Sequence, residues 1–541
     1  MIAELKNRRL YPLWAVGVLG LATLVYFDLG PNLASNDDWM FAWSVKQLIL
    51  GHGMLRVPDL APLGVVQTLW AAAVTLGHVD YRLLRLSAVP FVVLACYCAF
   101  RLSRNLGADQ FWAGVAGSSL LAAPIYLALA TTFMSEVFYV GLLMAVALTC
   151  ERWVSRGRMA PLCVVLVGIC FLERQTAIYV PPAVTVGLLL ATKVREVKPR
   201  EWTYLAGLWL VVIGLLLAVQ RAGLDEATSG RALSILRHPD IRTIFFSAMM
   251  FPGLLGLFSA PFMLGFVGRK AHPNTSAQEL SGRPSRGRKV ILGLLVLVIA
   301  DAIVLTINHV PTLPGNYLTL RGLGPSYWAG TKPNLYPQLL WFSVELVSLA
   351  SVVALLVGNR DQAKIPRLNA GVAFVVVLGA LQLLPLAFGP IFDRYYLPAL
   401  APLLPVLAAA ASSRDSKFGL CARAWAIGAM VAGIAIYAVG QQDYQAWHVA
   451  GNTAALEAFR NAPPAQVDGG FEINGVYTEL PGYEAGGLPN RAPILDAGKL
   501  PSMVGPTSPR YRLMFAAAND PRDGVTYTSL APGRIVITKV R

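Results

Sequence analysis

Charge is scarce in this sequence. Only 14% of its 541 residues are Asp, Glu, Lys or Arg, against 55% hydrophobic, and the mean hydropathy is +0.55. A soluble chain of this length would carry far more surface charge over several domains, so that class is excluded. Cysteine is also rare. Cys96, Cys98, Cys150, Cys163 and Cys170 lie in or at the end of hydrophobic segments and Cys421 in a loop, which implies no disulfide framework. Six histidines, His52, His78, His238, His272, His309 and His448, show no metal-ligand spacing. No internal repeat of broken helices is visible, which counts against many transporter architectures. The charge that is present is uneven. Residues 441–541 hold nine basic and nine acidic side chains, so the net +15 belongs to the rest of the chain. There it lies between hydrophobic segments, where it sets topology and does not argue for nucleic acid.

What the sequence has in abundance is long apolar runs. They fall at 10–28, 82–100, 110–130, 137–150, 160–173, 175–192, 203–220, 244–267, 290–308, 338–357, 370–388, 396–412 and 424–440. The fold class is therefore a polytopic α-helical membrane protein with about 13 transmembrane helices. The three runs between 137 and 192 are short enough to be tilted, broken or re-entrant. The first run follows Lys6, Arg8 and Arg9 without a small-residue cleavage site and reads as a retained span. Lys and Arg favour alternate loops, starting with the N-terminal segment, by roughly two to one, which puts the N-terminus in the cytoplasm and the C-terminus outside. The loop run Arg283, Arg286, Arg288 and Lys289 suits anionic lipid headgroups. The sequon at Asn274 then lies on the wrong side for glycosylation and reads as chance. Two units follow: a membrane domain, 1–440, with a first outer loop at about 29–81, and a small C-terminal α+β domain outside the membrane, 441–541.

Candidate chemistry gathers on the outer side. At 35–53, Asp37 and Asp38 open an amphipathic helix whose apolar residues Trp39, Phe41, Ala42, Val45, Leu48 and Ile49 recur at helical spacing. Ser35 or Asn36 can cap it, and Gly51 or Gly53 can end it. The acids either complement the helix dipole or serve chemistry at a membrane surface. With the turn 58–62 and a second apolar stretch, 65–76, this predicts two interfacial helices forming a platform. Glu136, at the mouth of the fourth span, is either a solvated interfacial charge or a site acid. Arg174, in the turn 171–175, either joins Glu173 in a snorkelling cluster or faces a ligand. The loop 311–337, with Pro314-Gly315-Asn316-Tyr317 and Tyr327-Trp328, suits either sugar stacking or an interfacial aromatic belt. Arg394 suits a phosphate, with pairing to Asp393 as the alternative. Beyond the last span the pattern predicts an amphipathic helix at 443–462, anchored by Trp447, Leu456 and Phe459. Strands are expected at 475–480, 511–516, 525–530 and 534–540. Asp468, Glu472 and Glu479 read as solvent-facing acids.

Asn36-Asp37-Asp38-Trp39, followed by Gly51-His52-Gly53, resembles the first-loop signature of the GT-C superfamily of membrane glycosyltransferases. Phe133-Met134-Ser135-Glu136 resembles the second acidic site of that superfamily, where Thr-Asp is more usual. Leu172-Glu173-Arg174-Gln175-Thr176 and Asp393-Arg394-Tyr395-Tyr396-Leu397-Pro398 resemble its recurring turns. The lipid A aminoarabinose transferase and protein O-mannosyltransferase branches are the nearest in pattern, and the resemblance covers roughly 10–440. It implies a polyprenyl-phosphate-linked monosaccharide donor entering from the outer leaflet, and inversion by direct displacement onto an extracytoplasmic lipid, glycan or protein. It also implies roles. Asp37 is the base, Asp38 orients the helix or shares that role, and Glu136 positions the acceptor or a cation. Arg174 and Arg394 hold the phosphate, with Tyr395 in the donor-binding set. A divalent cation is left open, since branches differ. The implied compartment is a bacterial inner membrane with a periplasmic or extracellular active face.

Two other classes compete. A transporter or flippase would use Asp301 and Glu345, which fall inside the ninth and tenth spans. A non-catalytic scaffold would use the outer domain to recruit partners. A transferase requires Asp37, Glu136 and Arg394 to converge; a transporter requires a midplane site around Asp301 and Glu345.

Overall fold

A computed structural model describes residues 11–54, 62–193, 195–222, 241–267, 316–324, 328–358, 370–388, 392–412, 419–481 and 509–540. The segment 290–308, Asp301, the basic run at 283–289, the sequon at Asn274 and most of the turn 58–62 lie outside these residues.

Every other expected apolar segment coincides with helix. The first helices are α1 (Tyr11–Asp28), α2 (Asp38–Ile49), α3 (Val65–Val74), α4 (Tyr81–Leu86) and α5 (Val89–Asn105). They are followed by α6 (Gln110–Leu120), α7 (Pro124–Ala130), α8 (Ser135–Arg156), α9 (Ala160–Glu173), α10 (Val180–Ala191), α11 (Pro199–Arg221), α12 (Ile241–Ser259) and α13 (Met263–Val267). The later ones are α14 (Gln338–Gly358), α15 (Ala370–Leu381), α16 (Leu397–Ser412), α17 (Gly419–Phe459) and α18 (Gly470–Asn474). Among the described residues, six helices are long and apolar enough to cross a membrane, or seven if α6 and α7, bent by 53° where Pro124 restarts the helix, form one span. The chain is a multi-pass membrane protein. At its centre stands α8, buried along almost its whole length and packed on α5, α9, α15 and α16.

Four expectations are corrected. First, α2 does not present one exposed polar face as an amphipathic surface helix would: Asp38 to Val45 are all buried, with Trp39 covered by Phe471 and Gly475 from the C-terminal region. Second, no separate helix begins at 443. α17 runs unbroken for 41 residues, about 60 Å, twice the hydrocarbon thickness. Its C-terminal half keeps an apolar face, Tyr444, Trp447, Ala450 and Ala454, for the sheet beside it. Third, 475–480 is no strand: 475–479 forms a π-helical turn continuing α18, with Tyr477 Oη donating to Asn452 Oδ1 at 3.1 Å. Cys150 and Cys163 form a disulfide, contrary to the expectation from cysteine usage. The antiparallel packing of α8 on α9 brings their Cα atoms to 5.8 Å.

The larger sheet consists of β3 (Ala329–Gly330), β4 (Val467–Asp468), β5 (Tyr511–Ala517), β6 (Gly524–Tyr527) and β7 (Gly533–Lys539). β5 and β7 pair antiparallel over seven residues, β6 joins β7, and β3 and β4 both run parallel to β5. β3 comes from the loop before α14, so the sheet is stitched from two distant stretches. A short hairpin, β1 (Leu318–Thr319) and β2 (Gly322–Leu323), precedes β3. The sheet's apolar face, Leu513, Phe515 and Ile535, packs with Trp328 onto Trp447 of α17. Beneath it, buried Lys332 pairs with buried Asp443, which also accepts from Ser529 Oγ at 2.6 Å.

Candidate functional site

Four separated stretches meet at one point. Asp37 is the residue before α2; its backbone carbonyl accepts from Met40 N–H, while its carboxylate makes no capping bond to the helix. The chain enters it through Asn36, a non-glycine residue in the left-handed region at φ +53°. Glu136 sits in the first turn of α8, Arg174 directly after α9, and Arg394 in the 3₁₀ turn Asp393–Tyr396 that opens α16. Helix ends suit such side chains, since their backbone is held by the ladder on one side only.

The side chains form a chain of alternating charge. Arg394 Nη2 lies 3.3 Å from Asp37 Oδ2, Arg394 Nε 3.8 Å from Glu136 Oε1, and Arg174 Nη1 3.3 Å from the same Glu136 oxygen. Glu136 is 2% exposed and Arg394 7%, whereas Asp37 keeps 21% and Arg174 14%. The two outer members are thus the ones solvent reaches. Tyr395 Oη accepts from Arg394 Nη2 at 3.3 Å, and its ring lies beneath both guanidiniums, 5.1 Å from that of Arg394 and 6.0 Å from that of Arg174. Arg394 Nε and Nη1 donate no hydrogen bond among the described residues. Packing around Asp37 raises its carboxyl above the usual range, with the Arg394 guanidinium opposing the rise.

The structure shows the surroundings of each of these side chains. Glu136 is no solvated charge. Arg174 does not turn to Glu173, whose buried carboxylate accepts from Gln67 N–H at 2.9 Å. Nor does Arg394 pair with the Asp393 side chain. That carboxylate gathers four backbone N–H groups, those of Asn316, Tyr317 and Leu318 and its neighbour Arg394, at 2.8–3.4 Å. It thereby anchors the loop carrying Tyr317, whose ring lies 5.8 Å from the Arg394 guanidinium.

Asp38 stands apart from this cluster. It is fully buried behind Asp37, accepting from Phe133 N–H at 2.7 Å and Ser35 N–H at 3.3 Å, with Arg85 Nε at 3.6 Å. Burial pushes it up to about 7 in spite of these partners. The structure therefore brings together Asp37, Glu136, Arg174, Arg394 and Tyr395, and places Asp38 as a tie to the turn before Glu136.

Three residues of this neighbourhood were not nominated for the site from the sequence. Arg85 has a readable signal, a cation within an apolar run. Tyr317 lies in the aromatic loop but gives no hint of its partner: its hydroxyl accepts from Asn36 Nδ2 at 2.8 Å, and burial raises it well above the usual phenol range. Glu472, expected in solvent, is 3% exposed and accepts from Asn36 N–H at 3.2 Å. Nothing local in 470–474 announces that contact.

Among the described residues, no group of three or more His, Cys, Asp or Glu side chains is arranged to hold a metal ion. The acids of the cluster face guanidiniums instead. Of the transporter pair, Asp301 lies outside the described residues, and Glu345 accepts from Trp341 Nε1 at 3.1 Å, one turn earlier on α14. An apolar cavity of about 420 Å³ opens between α6, α12, α14 and α17, lined by Phe258, Val344, Trp425 and Met430, and it extends to Leu318.

No family model matches the chain, and no curated protein does. Among solved structures it is similar to the apo oligosaccharyltransferase of Archaeoglobus fulgidus, at 12% identity and TM-score 0.42, over 81% of this chain and 56% of that one. It is also similar to the apo form of ArnT from Cupriavidus metallidurans, at 14% identity and TM-score 0.37, over 96% of this chain and 97% of that one. The same ArnT bound to undecaprenyl phosphate gives 13% identity and TM-score 0.34, over 97% of both chains. The chain thus spans 56% of the length of the archaeal protein.

Proposed function

We propose that this chain is an inverting membrane glycosyltransferase of GT-C type, moving a monosaccharide from a polyprenyl-phosphate carrier to an acceptor on the outer face of a bacterial inner membrane. The observation that carries the reading is the convergence of Asp37, Glu136, Arg174 and Arg394, with two Arg394 donors left unbonded. It joins the motif resemblance, which nominated the same residues.

Asp37, a half-buried acid that solvent still reaches, takes the proton from the acceptor hydroxyl as its oxygen attacks the anomeric carbon. The carbon–oxygen bond to phosphate breaks on the opposite face, and its electron pair leaves on the lipid phosphate. Arg394 and Arg174 stabilise that charge, Arg394 through its Nη1, which makes no hydrogen bond among the described residues. Tyr395 fixes the Arg394 plane. Glu136, shared by both guanidiniums, holds them at the spacing phosphate requires. Asp38 positions rather than reacts. The apolar cavity reaching Leu318 suits the prenyl chain, since Leu318 N–H is bonded to Asp393 beside Arg394. In this reading the N-terminus is cytoplasmic, residues 1–440 form the membrane domain, and 441–541 form a periplasmic unit.

The test is purified protein in lipid, wild type and Asp37→Asn, given a panel of polyprenyl-phosphate monosaccharides with membrane extract as acceptor source, while free polyprenyl phosphate is followed. Release that collapses in the folded variant supports the reading. Absence of donor consumption by wild type, with Glu345→Gln abolishing substrate movement in vesicles, would replace it with the transporter.

A further inference from the structure

We infer that Glu472, from the C-terminal unit, is a positioning residue for Asp37, acting through the backbone of Asn36. This rests on the proposed role of Asp37 as base. Asn36 takes the left-handed conformation immediately before Asp37, one that asparagine adopts more readily than most residues and that local hydrogen bonds fix. Two bonds hold it: its amide N–H donates to Glu472 Oε1 at 3.2 Å, and its Nδ2 donates to Tyr317 Oη at 2.8 Å. Tyr317 is in turn fastened through its own N–H to Asp393, next to Arg394. Base and phosphate ligand are therefore set in register by one continuous path, and Glu472 is its only member from the C-terminal unit.

The seat of Glu472 is rigid for reasons independent of that bond. Gly470 opens α18 at φ +80° against the Trp328 indole, and Gly475 closes it against Trp39, in each case where a Cβ would collide with the ring. Phe471 packs on the same Trp39, with ring centroids 5.8 Å apart. His448 Nε2 stands 4.0 Å from Glu472 Oε1, and Oε2 has no hydrogen-bond partner among the described residues. One oxygen thus holds the turn. What the contact requires is an acceptor at that point, not a charge.

The experiment compares Glu472→Gln, which keeps an acceptor oxygen, with Glu472→Ala, which removes it. Full-length protein in lipid nanodiscs is read by turnover of a polyprenyl-phosphate monosaccharide and by deuterium uptake over 33–38 and over the sheet, 511–539. The expected result is that Glu472→Ala lowers kcat by about tenfold or more at unchanged donor KM. It also speeds exchange over 33–38 and leaves the sheet protected, while Glu472→Gln stays within about threefold of wild type in both. A Glu472→Gln variant as impaired as Glu472→Ala overturns the inference, because charge is then what matters. So does faster exchange over the sheet together with 33–38, which marks a fold-wide role. If wild type turns over no donor, the proposed function fails, and the exchange arm still decides: unchanged uptake over 33–38 in Glu472→Ala overturns the inference, and a local rise with Glu472→Gln unaffected sustains the positioning of the turn.

Discussion

Phe133 N–H donates to Asp38 Oδ1 at 2.7 Å, joining the start of α2 to the turn that leads into α8. Of two adjacent acids in the sequence, one faces the guanidiniums and the other ties the two site-bearing helices together. Their different tasks make different predictions.

Asp38→Ala removes the acceptor for Phe133 and Ser35 and the carboxylate facing Arg85, which keeps its bonds to Pro31 O and Leu33 O. The expected cost is about 1–3 kcal/mol of stability, with turnover falling too, because Glu136 is no longer held in register. Thermal unfolding in detergent and single-turnover rates measure the two effects. A variant with wild-type melting would show that the bond contributes nothing.

The raised Asp38 carboxyl, up to about 7 against 3.8 unperturbed, also sets a pH dependence. The folded state binds a proton that the unfolded chain releases, so this contribution is present below about pH 4 and is lost as pH rises through about 7. Between pH 5 and 7 the loss is about 2 kcal/mol, at 1.36 kcal/mol per unit. Melting temperature should fall over that window in wild type and fall less in Asp38→Asn, which cannot titrate there.

Arg394→Lys keeps a charge but loses the planar fork and the seat above Tyr395. A drop of about 10²-fold in kcat/KM is expected, with melting little changed. In Arg394→Gln the guanidinium no longer opposes the rise of the Asp37 carboxyl, so the acid limb of the pH–rate profile should move to higher pH. An unmoved limb would separate Asp37 from that ionisation.

Gly475→Ala would drive a Cβ into the Trp39 indole at Cε2. Relief requires lifting α18 off α2, at about 1–3 kcal/mol. Turnover should fall with the melting temperature, and Trp39→Phe in the same chain should recover part of both by vacating the space.

Most of the membrane architecture is legible in the sequence, because spans are specified by local apolar length and that signal does not depend on partners. The nominated charges were legible as residue types at helix ends. Their pairing was not, since whether Arg394 meets Asp393 or Asp37 depends on how α2 and α16 pack. The same limit explains the failures at α2 and at 475–480: Trp39 reads as an interfacial anchor until Phe471 and Gly475 cover it. Glu472 is invisible for a stronger reason, as its partner lies 436 positions away.

That separation orders events during synthesis. The loop carrying Asn36 and Asp37 is made 436 residues before its acceptor, and β5 and β7, which complete the adjoining sheet, come later still. Until then the turn at Asn36 lacks the Glu472 oxygen and α2 lacks its cover. The nascent chain therefore passes through a stage in which every membrane helix before residue 460 can be in place while the proposed reaction centre is still unassembled.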